Sequence, residues 1–187
     1  MSQQAQDHGE VLPIGDADIE GLSPEEFKGA FRNHAAGVAV ITGDAGDGPV
    51  GLTATSVFSV SAEPPLLVFS VSSTSSAAPT ISRAETVMVH LLTVDQLWLA
   101  RLCATSGIDR FADRSTWSRL LTGEPYFPDA HTWIRGRVVN RMEAGGSTLI
   151  AVHALQAAPP RTGPASAPLV YHDRTYHGLG DASRLQA

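Results

Sequence analysis

The stretch G51-LTATSVFSVSAEPPLLVFSVSSTSS-76 decides the reading of this chain. It alternates apolar and hydroxyl side chains, stops at Pro64 and Pro65, and restarts as a second apolar run. Its only charged residue is Glu63, and Ser70 to Ser76 carry a hydroxyl at every position except Val71. Alternation with period two is the signature of a strand, and a proline pair cannot continue one, so two strands joined by a turn are predicted. Thr53, Thr55, Val57 and Ser59 fall on one face, and Leu52, Ala54, Phe58 and Val60 on the other. Ser56 interrupts the apolar side, where a bulge or strand end is expected. Closely spaced hydroxyls at a strand end, with backbone N–H groups beside them, can satisfy a phosphate and a polar heterocycle without a full charge. The competing reading is a solvated edge strand running into a serine loop.

Outward from this block the chain reads as many short strands and few helices. Ser23, Pro24 and Glu26 form a helix start with a capping box, and Phe27 and Phe31 share one face of that helix. Further strands are expected in GVAVITG (37–43), TVMVHLL (86–92), HTWIRGRVVNRME (131–143), STLIAVHALQA (147–157) and PLVYHDRTY (168–176). AAPTISRAE reads as a short helix, and TVDQLWLARLCATSG as a helix stopped at Gly107. No helices of crossover length separate the strands, which disfavours a parallel doubly wound sheet and favours an antiparallel barrel or sandwich with two or three peripheral helices. Residues 1–22 read as a flexible tail, 23–180 as one domain, and 181–187 as a C-terminal tail.

Composition narrows the function. The 187 residues are 43% hydrophobic and 17% charged, which suits one globular domain with a core. A formal net charge of -6, with unclustered basic residues, disfavours nucleic acid. No apolar run approaches a membrane span, and the polar N-terminus lacks the features of a secretory leader. The single cysteine, Cys103, forbids an intrachain disulfide and suits a reducing compartment, so a soluble cytoplasmic protein is expected. Buried structural cysteine is the reading of Cys103.

Several motifs fail on physical grounds. GDGPVG (46–51) matches a dinucleotide fingerprint in letters only. Pro49 and Val50 run into a strand, so no helix N-terminus is aimed at a pyrophosphate, and the segment reads as a hairpin turn. The seven histidines form no H-x-x-x-H pair, which disfavours a metal, and His153 reads as a hydrogen-bonded core residue. There is no G-x-S-x-G elbow for a hydrolase. IDRFADR (108–114) admits two readings: a loop clamped by an Asp109–Arg110 pair or by Arg110 contacts to the main chain, or a positive group beside an anionic ligand.

With these pieces in order, the sequence resembles the flavin reductase family of the FMN-binding split-barrel fold. FRNHAAGVAVIT (31–42), GLTATSVFSVSAEPPLLVFSV (51–71), SSTSSAAPTI (72–81), VDQLWLARLCA (94–104) with the DRF of 109–111, and PLVYHDRTYHGL (168–179) carry the resemblance from Phe27 to Leu179. It implies a mostly β, antiparallel, Greek-key split barrel. It implies FMN or FAD as the flavin, NADH or NADPH as co-substrate, a homodimer, and a separate flavin-dependent monooxygenase as partner. It places Thr53, Ala54, Thr55 and Ser56 along the isoalloxazine ring. Ser70, Ser72, Ser75 and Ser76 are placed at the ribityl and phosphate. Asp109, Arg110 and Phe111 are placed near the flavin and the dimer contact, and Tyr171 and Tyr176 at aromatic positions of the last strand. No side-chain nucleophile is implied, because the hydride passes directly between the two cofactor rings.

Two positions depart from the family pattern. Gly146 and Ser147 stand where the family often carries a polar residue and the histidine near the nicotinamide, and His90 stands where it usually has asparagine. The neutral serine loop suggests a flavin that exchanges as a substrate. The missing histidine motivates a second reading, a flavin-binding electron carrier or accessory protein without efficient NAD(P)H turnover. A third reading is a split-barrel module that has lost flavin, against which the TATS and SSTSS blocks argue.

Overall fold

A computed structural model describes residues 21–158 and 166–185. Most of the expected N-terminal tail, the centre of the 158–168 loop and the last two residues lie outside the described residues. Among the described residues, those up to Phe31 form one compact unit and those from Arg32 onward another. The first contains most of α1 (Pro24–Arg32), which starts as its sequence dictates. The Ser23 hydroxyl donates to Glu26 Oε2 at 2.6 Å, and Glu26 N–H donates back to Ser23 Oγ at 3.3 Å. The rings of Phe27 and Phe31, one turn apart, meet at 4.8 Å between centroids.

The second unit is built on strands. In chain order they are β1 (Ala36–Gly37), β2 (Ala39–Gly43), β3 (Val50–Ala54), β4 (Phe58–Ala62), β5 (Pro65–Ser72) and β6 (Thr86–Leu91). Then come β7 (Ser118–Arg119), β8 (Pro125–Tyr126), β9 (Thr132–Ala144), β10 (Ser147–Ala157), β11 (Leu169–His172) and β12 (Thr175–Gly178). Helix α2 (Ala78–Ile81) follows the serine loop, and α3 (Leu97–Ala104) follows β6. Among the described residues three sheets form, all with antiparallel pairing: a seven-stranded one in the order β3-β2-β6-β9-β10-β5-β4, a three-stranded one, β1-β11-β12, and the pair β7-β8.

The opening stretch explains the curvature of the main sheet. β3 and β4 are consecutive in sequence yet lie at opposite edges of the seven-stranded sheet. From Ala54 to Phe58 the chain can reach about 14 Å at most. Six strand spacings of a flat sheet would hold its edges about 29 Å apart. The sheet therefore curls until its two edges nearly meet. The break falls at Thr55–Val57, on the position where Ser56 disturbs the alternation.

Two apolar clusters cover the two faces of β2 and β6. Inside the curl, Ile41, Leu52, Phe69, Val87, Val89, Ile150 and Val152 pack together, with Ile81 of α2 buried among them. On the other side Val40, Leu99, Cys103, Phe111, Trp117 and Phe127 form a second cluster. All five residues of β2 are buried, which is why that strand is apolar without alternation. Leu52 and Ala54 face the first cluster as the alternation predicts, but Phe58 and Val60 do not: the break at Thr55–Val57 resets the phase, so both are exposed and Val57 packs on the cluster instead.

Three local outcomes differ from the sequence reading or sharpen it. PLVYHDRTY is not one strand but a hairpin, with Asp173 and Arg174 at φ of 42° and 62° between β11 and β12. A two-residue turn with both φ positive matches strand twist, and neither residue is glycine, so the usual sequence signal was missing. His153 is not a core residue: Ile150 and Val152 take the buried positions of β10, and His153 is half-buried. GDGPVG is the expected turn between β2 and β3, with Gly46 and Gly48 at φ of 96° and 110° and Asp44 Oδ1 accepting both of their N–H groups.

Candidate functional site

The site is built where the link between β3 and β4 crosses the end of β5. The Ser56 hydroxyl accepts from Ser70 N–H at 3.0 Å and donates to Ser70 O at 3.2 Å. One side chain thus replaces the β-ladder contact that the broken strand no longer supplies, and it fixes the 53–56 segment against the serine strand. The β5–β10 register sets Ser70 opposite Leu149 and Ser72 opposite Ser147. Residues two apart on a strand share a face, so Ser70, Ser72 and Ser147 lie on one side of the sheet. That side also carries Val68, paired with Phe58, and Leu149, paired with Met142. Phe58 and Met142 are 56% and 57% exposed, so the hydroxyls border an open apolar surface.

Beyond Ser72 the loop is organised by its own hydroxyls. Ser72 Oγ lies 2.9 Å from Thr74 Oγ1, Ser75 Oγ accepts from Ala77 N–H at 3.3 Å, and Ser75 N–H donates to Ser72 O at 3.0 Å. Ser73 N–H donates to Gly146 O at 2.9 Å, which pins the loop to the β9–β10 turn. That contact is main chain on both sides, and no side-chain motif could have announced it.

Arg110 joins this loop to α3. Its Nε donates to Cys103 O at 3.0 Å and its Nη2 to Thr105 O at 2.7 Å, satisfying carbonyls at the helix C-terminus. Its remaining Nη1 reaches Ser76 Oγ at 3.3 Å. The main-chain clamp read from IDRFADR is present, and the same guanidinium brings a positive charge to the serine loop. Asp109 does not pair with Arg110 but accepts from Phe111 N–H at 2.9 Å.

The other named residues divide. Thr55 is exposed beside Ser56, and its N–H, like that of Ser76, carries no hydrogen bond among the described residues. Thr53 turns away from the serines, its hydroxyl donating to Ala100 O of α3 at 2.6 Å, while Ala54 is buried in the first cluster. The Phe111 ring is a core element, 5.0 Å from Trp117 and 5.5 Å from Phe127. Tyr176 packs on Tyr171 at 5.0 Å in the three-stranded sheet. Burial and the neighbouring Tyr171 raise the Tyr176 phenol against the opposing charge of Arg101.

His90 has a structural place. It is fully buried, with Nδ1 2.9 Å from Val40 O and Nε2 3.1 Å from Phe127 N. A carbonyl accepts only from N–H, and an N–H donates only to a lone pair, so the ring is the neutral Nδ1–H tautomer. Burial holds its pKa down to about 4, against the pull of the Val40 carbonyl. Cys103 is also buried, and burial pushes its thiol up to about 12 despite the Arg110 charge, so it is no nucleophile at neutral pH. Among the described residues no group of three histidine, cysteine or acidic side chains could hold a metal ion, and no helix is long and apolar enough to cross a membrane.

A flavin-sized ligand needs donors for a phosphate, a polar edge for a ring, and an apolar surface beside it. The strand end offers the hydroxyls of Ser70, Ser72 and Ser147, the Ser76 N–H with Arg110 behind it, and the free N–H of Thr55. The residues fit such a group.

Comparison with known proteins points the same way. Residues 31–180 match the family described as the flavin reductase like domain. An NADH:FMN oxidoreductase of Rhodococcus qingshengii is 41% identical over 162 residues, covering 84% of this chain and 82% of its own. An NADH:riboflavin 5'-phosphate oxidoreductase of Streptomyces pristinaespiralis is 37% identical over 160 residues, covering 83% of this chain and 88% of its own. The crystal structure of a flavin reductase domain protein from Arthrobacter sp. FB24 superposes with a TM-score of 0.78 at 32% identity, over 87% of this chain and 98% of that one. BorF, the flavin reductase component of a bacterial two-component tryptophan halogenase, superposes at 0.74 with 29% identity, over 85% of this chain and 99% of its own. The chain belongs to the flavin reductase family.

Proposed function

We propose that this protein is an NADH-dependent flavin reductase that delivers reduced FMN to a separate flavin-dependent monooxygenase. The observation that carries this reading is the Ser56–Ser70 bridge, which sets the TATS segment against the serine strand end within a chain 41% identical to a named NADH:FMN oxidoreductase. A flavin held at Thr55, Ser70, Ser72 and Ser76 would supply an acceptor, at N5, for the hydride that a nicotinamide would give up from C4. The chain's own work is to bind and orient. The serine loop and Ser76 hold the phosphate, with Arg110 supplying positive charge without facing it as an open fork. Thr55 presents its main-chain N–H and its hydroxyl to the ring edge, where reduction adds negative charge, while Ser56, whose one O–H is given to Ser70 O, holds the segment in place. Ala54 and Leu52 keep that segment rigid by anchoring it in the core. Hydroxyl donors hold phosphate less tightly than an arginine fork, which suits flavin that arrives and leaves as a substrate.

The curled sheet, with its edges a short link apart, supports a split barrel of Greek-key type. The open apolar surface beside the serines supports a homodimer with the flavin site at its border. The absence of a disulfide suits a cytoplasmic location. Ser147, where the family resemblance leads one to expect histidine, favours one alternative: a flavin-binding carrier without efficient NADH turnover. NADH and NADPH oxidation assayed with FMN, FAD and riboflavin separates the two. The expected result is flavin-dependent NADH oxidation, fastest with FMN. A yellow protein that oxidises neither nicotinamide would replace the reductase reading with the carrier.

A further inference from the structure

Beyond α2 from the serine loop lies an open depression of about 350 Å³ lined by Ser82, Arg83, Glu85, Arg137, Val138 and Arg141. It forms because β9 outruns β6: the pairing of those strands starts at Thr86–Arg137, and the rest of β9 has β10 on one side only. The 82–85 segment closes its other side through Val138 N–H to Glu85 O at 2.9 Å. Three arginines and one glutamate line this space. Arg141 is held by Nη2 donating to Ala84 O at 2.6 Å, and Arg83 by Nε donating to Pro79 O at 3.1 Å and by an ion pair with Asp47. Arg137 has no hydrogen-bond or ion-pair partner among the described residues. Two guanidinium groups are thus preorganised by main-chain carbonyls and a third is free; with Asp47 on Arg83 and Glu85 in the lining, one net positive charge is left. Guanidinium forks match the oxygen geometry of phosphate, and the volume lies in the range of small-ligand sites.

We propose that this depression is an anion site for the second phosphoryl group of a dinucleotide whose ring occupies the serine strand end. The site itself rests on the cavity and its charges; only the dinucleotide source rests on the reductase reading. Ser76 and Ser82 are six residues apart across the short helix α2, about 9 Å at helical rise, a span that one dinucleotide can bridge.

Inorganic pyrophosphate titrated calorimetrically into the full chain at low salt tests the site. Saturable binding is expected, weakened about tenfold or more by Arg137→Glu and less by Arg137→Lys. The exposed, partnerless Arg137 should leave the melting temperature unchanged, which keeps the comparison valid. Absent binding, or equal affinity in Arg137→Glu, overturns the proposal. The source follows from kinetics of the same variant. A rise in KM for NADH but not for reduced nicotinamide mononucleotide assigns the phosphate to the nicotinamide dinucleotide. A rise for FAD but not for FMN assigns it to the flavin dinucleotide, and no selective rise overturns the dinucleotide assignment. If the wild-type chain binds pyrophosphate through Arg137 but oxidises no NADH, the anion site stands and the reductase reading fails.

Discussion

His90 shows how one side chain can set the acid limit of a protein. Its folded pKa of about 4 lies below its ordinary value of 6.5 because burial penalises the imidazolium. Protonation would also place a second N–H against that of Phe127. The unfolded chain therefore takes up the proton first, and stability is fully present above pH 6.5 and lost progressively as pH falls toward 4. The loss amounts to about 3 kcal/mol at most. Urea unfolding at pH 7.5 and pH 4.5 should show a drop of this order, shrinking in His90→Asn; equal pH dependence in wild type and variant would contradict it. Gly136 makes a complementary case. A Cβ there would collide with Val152 Cγ1 and press on the His153 carbonyl. Gly136→Ala should therefore cost about 1–3 kcal/mol in the same assay, with the catalytic constants retained.

At the scale of elements, the decisive device is a strand that ends early. The chain leaves β3 at Thr55, and the Ser56 hydroxyl, bonded both ways to the Ser70 main chain, ties the link to β5. Ser56→Ala removes both bonds and should raise the flavin KM about tenfold, while the melting temperature falls by only a few degrees. An unchanged KM would mean that the segment is held by packing alone. Arg110 performs the same kind of joining between α3 and the serine loop. Arg110→Met leaves the Cys103 and Thr105 carbonyls without their donor and should cost about 1–3 kcal/mol along with weaker flavin binding. Lysine should rescue only part of this, because one ammonium cannot reproduce the fork.

For the whole molecule, the proposed dimer predicts where disruption should act. Phe58 and Met142 stand exposed on the face that carries Ser70, Ser72 and Ser147. Phe58→Asp with Met142→Glu should shift sedimentation from dimer to monomer and weaken flavin binding together, since one surface serves both. Monomer formation with unaltered flavin affinity would place the flavin site away from the interface.

Much of this was legible in the chain itself. The proline pair, the Ser23–Glu26 capping box and the Gly-rich 46–51 turn are short-range signals, and each became the expected element because local sterics and hydrogen bonding suffice to set it. Leu52 and Ala54 were correctly assigned inward for the same reason. The alternation of 51–62 held only as far as Ala54, because the break at Thr55–Val57 resets which side chains face the core. Tertiary structure alone decided which hydroxyls are free. Thr53 and Thr55 are indistinguishable by alternation, yet α3 packs over one and uses its hydroxyl, leaving the other exposed. It decided that Arg110 both clamps a helix and reaches Ser76, and that His90 is a buried hydrogen-bond bridge. It also decided that β3 and β4, neighbours in sequence, lie at opposite edges of one sheet. Those outcomes depend on residues tens of positions apart meeting in space, and long-range pairing leaves no periodicity in the sequence from which to read it.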